Sequence, residues 1–154
     1  MGNGVFSGRY QHNIDPKGRI TIPTAYRETL GERFTLGMNS EFTALVLYPA
    51  DEWEAISKRL SRVPISDARG MAYVRLIMST SYTDQQLDGQ GRLLLPALLR
   101  ERAGLDKAIM IVGSGKILEV WDAEKFERYM ASTIAELPGI SGYFNDHYTA
   151  PIEF

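Results

Sequence analysis

The pentapeptide Asp15-Pro-Lys-Gly-Arg19 returns as Asp88-Gly-Gln-Gly-Arg92, 73 residues later (15 to 88), and its surroundings return with it. Pro23 maps to Pro96, Arg27-Glu28 to Arg100-Glu101, Gly31 to Gly104, Leu45 to Leu118 and Ala50 to Ala123. Tyr48 falls on Trp121 and Trp53 on Phe126. Matched turns, breakers and aromatics on one period identify a tandem duplication of a single supersecondary unit. Any fold for this chain must place that unit twice.

Each copy reads as strand, tight turn, strand, short helix, two strands, longer helix. In copy one, weak alternation over 8–14 meets Asp15-Pro16-Lys17-Gly18. Pro16 presets φ there and Gly18 tolerates a positive one. Arg19-Ile20-Thr21-Ile22 is β-rich and ends at Pro23, which opens a helix closed by Gly31. Strands near 33–38 and 43–48 follow, joined by a polar Asn39-Ser40 turn, and then a helix over 51–62. Trp53, Ile56 and Leu60 recur at helical spacing, which assigns them to the core. Copy two predicts strands over 82–87, 92–95, 107–112 and 116–121, and helices over 97–103 and 123–136. The expected fold class is therefore mixed α/β, a doubled β-β-α-β-β-α unit.

The copies span residues 6–63 and 82–136. The intervening 64–81 reads as an inserted helical linker, with Met71, Val74 and Met78 along one side of a helix over 68–78. Residues 137–154 form an aromatic tail that carries Ile140, Tyr143, Phe144, Tyr148, Ile152 and Phe154, interrupted by two glycines and two prolines.

The 154 residues are 44% hydrophobic, enough for a core, and basic and acidic residues balance at 17 to 19. That balance is unlike a dedicated nucleic-acid binder, which is more often basic overall. Cysteine is absent, which excludes disulfides and thiolate metal sites. No signal peptide and no apolar run long enough to span a bilayer are read, so a cytoplasmic protein is expected.

The Asp-x-x-Gly-Arg turn has a plain structural explanation. Asp caps backbone N–H groups, Gly permits the conformation, and Arg pairs with Asp. That covers Asp15, Gly18, Asp88 and Gly91 as loop-shaping residues. The arginines invite more: a planar guanidinium at a rim suits phosphate oxygens or the O6/N7 edge of guanine. Copy one adds Lys17 in the turn and Arg9 on the preceding strand, whereas copy two has Gln90 where copy one has Lys17. On charge and geometry alone the rim suits nucleic acid or another polyanion.

Other motifs carry less. Gly113-Ser-Gly-Lys116 lacks the Ser/Thr and helix of a phosphate-binding loop and reads as a hairpin turn. His12 and His147 are too few and too separated for a metal site, and His12 reads as a surface residue. Asp15 and Asp88 each have a turn role and an Arg beside them, so neither is poised as an acid near neutral pH. No catalytic set, cofactor or small-molecule substrate is indicated.

Asp-Pro-Lys-Gly-Arg-Ile-Thr-Ile-Pro, Arg27, Leu47-Tyr-Pro-x-x-x-Trp53, Asp88-Gly-Gln-Gly-Arg-Leu-Leu-Leu-Pro and Val120-Trp-Asp122 together resemble the MraZ family over roughly residues 6–136. The resemblance implies an AbrB-like, swapped-hairpin double-repeat barrel that forms homo-oligomeric rings, of octamer or dodecamer size. It implies a nucleoid-associated regulator, expected to repress the division and cell-wall gene cluster. Ring subunits would bind direct repeats in promoter double-stranded DNA through the loops Asp15–Arg19 and Asp88–Arg92. Carried over by position, Arg19 and Lys17 are the leading contacts, then Arg92, with Arg9 secondary. The flanking Arg9, Arg27 and Arg100 are together secondary candidates, expected rather in structural ion pairs. The competing reading is an oligomeric protein-interaction scaffold with little or no DNA binding. A small enzyme is the weakest alternative.

Overall fold

The computed structural model describes residues 4–148. The chain divides into two units, residues 1–123 and 124–154.

In the first unit, the fold follows from exchange between the copies. β3 (Phe34–Met38) and β4 (Leu45–Pro49) form one antiparallel hairpin, and β7 (Ala108–Ser114) with β8 (Ile117–Asp122) forms its counterpart. The first strand of each copy leaves its own hairpin. β1 (Arg9–Asn13) pairs with β7, from Arg9↔Val112 to Asn13↔Ala108, and β5 (Tyr82–Gln85) pairs with β3. The hairpins meet at β4 and β8, giving a six-stranded sheet of order β1-β7-β8-β4-β3-β5.

The register reveals the symmetry. Leu45 pairs with Val120 and Leu47 with Leu118. Shifting each residue by the repeat period turns the first pair into the second, so the copies face each other across an approximate two-fold axis. β2 (Arg19–Thr21) and β6 (Arg92–Leu94) sit on the same axis as a separate two-stranded antiparallel ribbon. Their central pair, Ile20↔Leu93, maps onto itself.

One interior serves both copies. Ile20, Ile22, Leu30, Leu36, Leu45 and Leu47 cluster with Leu93, Leu95, Leu99, Ile109, Ile111 and Leu118, each exposed by 2% or less. Residues from two sequence-distant copies thus remove each other's apolar surface from water, so neither copy buries its sheet face alone. The short helices α1 (Thr24–Leu30) and α4 (Ala97–Arg102) close it, each starting after a proline, Pro23 or Pro96, that suits a helix entry. α1 ends on Gly31, as expected.

Several expectations need correction. The Asn39-Ser40 turn is longer, and β4 starts at Leu45. Asn39 Oδ1 accepts from the N–H groups of Thr43 (2.7 Å) and Ala44 (3.2 Å), holding a loop with Phe42 at φ 57°. α2 (Ala50–Leu60) has no fully buried residue; Trp53, Ile56 and Leu60 are only half-buried, because α2 covers the sheet with one edge. α3 (Ala68–Ser79) forms as expected, capped by Asp67, whose carboxylate accepts from Gly70 N–H at 3.0 Å. Its sheltered side carries Met71, Val74 and Ile77, while Met78 is exposed. β5 is irregular: Asp84 adopts φ 55° where the pairing with β3 shifts register.

The second unit holds the body of α5 (Ala123–Ala135) and α6 (Leu137–His147). The breakers do not interrupt α6. Pro138 falls in the first turn, where the missing N–H costs nothing, and Gly139 and Gly142 weaken the helix without ending it. Ile140, Tyr143, Phe144 and Tyr148 are exposed, and Tyr143 stacks on His147 at 3.9 Å. Pro151, Ile152 and Phe154 lie outside the described residues. No helix among the described residues is long and apolar enough to cross a membrane.

Candidate nucleic-acid interface

Both Asp-x-x-x-Arg turns close in the same way. In copy one, Gly18 N–H donates to the Asp15 carbonyl at 2.9 Å, and Asp15 N–H donates back to the Arg19 carbonyl. Asp15 Oδ1 accepts from the N–H groups of Lys17 and Arg19, each at 2.9 Å, while Oδ2 takes Arg19 Nε at 2.7 Å. In copy two, Asp88 repeats every one of these bonds with Gln90, Gly91 and Arg92, its Oδ2 meeting Arg92 Nε at 2.8 Å. Gly18 and Gly91 sit at φ 82° and 76°, where a side chain would be strained.

The backbone N–H of Arg19 and the guanidinium beside it hold the Asp15 carboxyl below the usual carboxylate range, and Asp88 is held down in the same way by Arg92 and Gln90. A depressed folded pKa means that the carboxylate's hold on the loop is complete above the unfolded value and is lost only as pH falls through the folded one. In a carboxyl-carbon NMR titration, both aspartates should therefore show midpoints below about 3.9, the value of a free aspartate. A midpoint at or above it for either residue would contradict this geometry.

Only Nε of Arg19 and Arg92 is engaged with Asp. No other hydrogen bond reaches either guanidinium among the described residues, so its two terminal nitrogens remain available. The ribbon aims them. Ile20 and Leu93, exposed by 1% and 2%, turn inward. By strand alternation, Arg19, Thr21, Arg92 and Leu94 share the opposite, outward face. Arg19 lies across from Leu94 and Arg92 across from Thr21. The two arginines are diagonal neighbours, about 7–8 Å apart at this register. Lys17 stands exposed at the first turn.

The structure therefore gathers Arg19, Lys17 and Arg92, with their loop-shaping Asp15, Gly18, Asp88 and Gly91, around one ribbon. Arg9 stands apart, at the end of β1 away from the turn. Leu94 and Thr21 complete the outward face but were not anticipated. Thr21 was legible from alternation with Ile20, whereas the run Leu93-Leu94-Leu95 hides the alternation in copy two.

Arg27 and Arg100 form no salt bridge among the described residues, contrary to expectation. Arg27 Nε donates to the Ile22 carbonyl at 2.9 Å, and Arg100 Nε to the Leu95 carbonyl at 3.1 Å. Each carbonyl lies one residue past the strand that precedes the helix, so each guanidinium is fastened at the foot of α1 or α4 rather than to a carboxylate. The glycine-rich stretch Gly113–Lys116 is the tip of the β7–β8 hairpin, with the Phe6 and Gly115 backbones bonded to each other across it. No group of acidic or histidine side chains among the described residues could hold a metal ion.

Comparison with known proteins places this architecture. The family model described as "MraZ protein, putative antitoxin-like" matches residues 5–76 and again 78–139, once for each copy. A transcriptional regulator MraZ from Syntrophomonas wolfei is 42% identical over 127 residues, covering 81% of this chain and 86% of that protein. Its namesake in Desulforamulus reducens is 41% identical over 85% of this chain and 91% of its own length. That of Acetivibrio thermocellus is 38% identical over 90% and 99%. These relatives are named as regulators of transcription, not as enzymes. On both counts, the doubled match and the identity along most of its length, the chain belongs to the MraZ family.

Proposed function

We propose that the chain is a sequence-specific, double-stranded DNA-binding regulator of transcription. The observation that carries this reading is the outward ribbon face, where Arg19 and Arg92 stand diagonally with free terminal nitrogens. A B-DNA major groove admits a two-stranded ribbon, and Arg can bond guanine O6/N7 bidentately. Lys17 adds a bond to phosphate at the first turn, and Thr21 and Leu94 offer methyl groups to thymine. Arg9, away from the ribbon, is assigned no base to read.

The finer reading is a homo-oligomeric ring on promoter direct repeats, repressing the division and cell-wall gene cluster by occluding it. Such a protein works in the cytoplasm on the nucleoid, and it needs no cofactor. A net charge of −2 argues against tight binding by one copy. Linking several ribbons in one assembly answers this, since avidity can exceed single-site affinity by about 10²–10⁴. Repeats spaced by about one helical turn, ~10 bp, would present the same groove face to successive ribbons.

The test is a salt-series titration of wild type and Lys17→Ala on DNA from upstream of the chain's own gene. Wild-type affinity should fall steeply with salt. The slope should shrink by about 0.9 for each phosphate that Lys17 no longer neutralises, with sequence preference kept. A slope unchanged in the variant would remove Lys17 from the DNA.

Removing the outward apolar residue is a second check. Leu94→Ser should weaken the preference for thymine over uracil at the position that Leu94 covers, and the readout is competition between operators with thymine or uracil at each position. Equal discrimination by both proteins would sink that assignment.

The exposed Tyr143 and Phe144 of α6, with Tyr148 just past its end, favour one other reading, an interaction scaffold that holds a protein partner and binds DNA weakly or not at all. No binding, or only weak and sequence-blind binding, at low salt in the same titration would select it.

A further inference from the structure

The two recognition loops are each built partly by the other copy. Gly18 lies in loop one, but its carbonyl accepts from Leu95 N–H of copy two at 2.9 Å. Gly91 lies in loop two, and its carbonyl accepts from Ile22 N–H of copy one at 2.9 Å. The guanidiniums fastened at the helix feet follow the same crossing. A methyl group placed on Gly18 would meet Arg100 Cζ and Nη2 at 3.2 Å, and one placed on Gly91 would collide with the Arg27 guanidinium. Both glycines are buried, although they belong to surface turns. What covers them is an arginine that lies 82 residues away in one case and 64 in the other (18 to 100, 27 to 91).

We propose that Arg27 and Arg100 are cross-repeat positioning residues, the guanidinium of each copy seating the recognition loop of the other. Each plate is held at two points. Nε is fixed to the carbonyl of Ile22 or Leu95, and the planar group lies against the glycine whose own carbonyl bonds the N–H of that same Ile22 or Leu95. Arg is suited to this because its guanidinium is flat, permanently charged and able to donate along its edge while its face packs. Lysine offers a point charge on a flexible stem and no plate. With no salt bridge among the described residues, each guanidinium also leaves its charge at the loop, so loop one is flanked by Arg19 and Arg100 and loop two by Arg92 and Arg27. The glycines then have two reasons to lack a side chain, the positive φ and the plate. The two loops make a single two-part element, and disturbing one copy's helix foot is felt in the other copy's loop.

The DNA arm of the test rests on the proposed function; the first arm does not. Full-length wild type, Arg27→Lys and Arg100→Lys are compared by hydrogen exchange without DNA. Arg27→Lys should speed exchange over residues 88–92 by about tenfold, the equivalent of one charge-assisted hydrogen bond, and leave 15–19 unchanged. Arg100→Lys should do the reverse. The second arm is a double-mutant cycle in DNA affinity. Arg27→Ala should be non-additive with Arg92→Ala and additive with Arg19→Ala. If Arg27→Ala does not fold, Arg27→Lys takes its place in the cycle.

Exchange that rises in the variant's own repeat, or in neither loop, would overturn the proposal. Additivity with Arg92→Ala would overturn it as well. Crossed exchange with no DNA binding by wild type would uphold the bracing and refute the proposed function alone.

Discussion

Arg19→Ala should reduce affinity for operator DNA to the level of scrambled DNA. A bidentate Arg–guanine pair discriminates by about 1–3 kcal/mol, or roughly fivefold to 150-fold, at a single site. In an assembly every copy carries the same change, and the losses compound across the engaged ribbons. The variant should keep its fold, because Arg19 lies on the outward face and its guanidinium is bonded to Asp15 of the same turn rather than to the core. Arg92→Ala should behave alike but less severely, since loop two has Gln90 where loop one has Lys17. Competition binding with labelled operator, beside a circular-dichroism melt, checks both statements. An Arg19→Ala protein that still prefers its operator would move base recognition off the ribbon.

The second large effect lies in the core. Leu47→Ala should cost about 2–5 kcal/mol of stability, the range for a fully buried leucine whose cavity does not collapse. Leu47 is 0% exposed and pairs with Leu36 on one side and Leu118 on the other, so it stands where the two copies share their interior. A site that served copy one alone would loosen copy one alone. Here the strands of both copies are interleaved in one sheet, with the copy-one pair β3–β4 lying between copy-two strands β8 and β5, and urea unfolding of residues 4–123 should shift to a lower midpoint as one cooperative transition. Two separated transitions in the variant would contradict the shared core.

Local chemistry was legible in the residues themselves, whereas exchange between copies was implied only by the resemblance to a swapped-hairpin family and not by any pattern in the residues. Asp15, Gly18 and Arg19 announce their turn through residue type, and Gly31 announces the end of α1. The repeat period carries both to copy two. Nothing in the alternation of 9–13 says that β1 pairs with β7 rather than with its own hairpin, because strand alternation records which face is buried and not which neighbour is paired. The same blindness explains Arg27 and Arg100. Their spacing from the loops of their own copy is short, and only the folded register brings them to Gly91 and Gly18. Trp53, Ile56 and Leu60 show a further limit. Their helical period is real, yet period alone does not say how much of that face is covered. α6 misled in the opposite direction, since Pro138 and two glycines read as breakers while the proline sits in the one turn that tolerates it.

The central claim is that the β2–β6 ribbon and its two crossed loops meet DNA together. The most direct measurement is a hydrogen-exchange footprint of the full-length protein, with and without duplex from upstream of its own gene, and with a scrambled duplex as control. The account predicts added protection at 15–21 and at 88–94 together, with the native duplex and not the scrambled one. Protection confined elsewhere, for example to the exposed face of α6, with both loop segments unchanged, would contradict it.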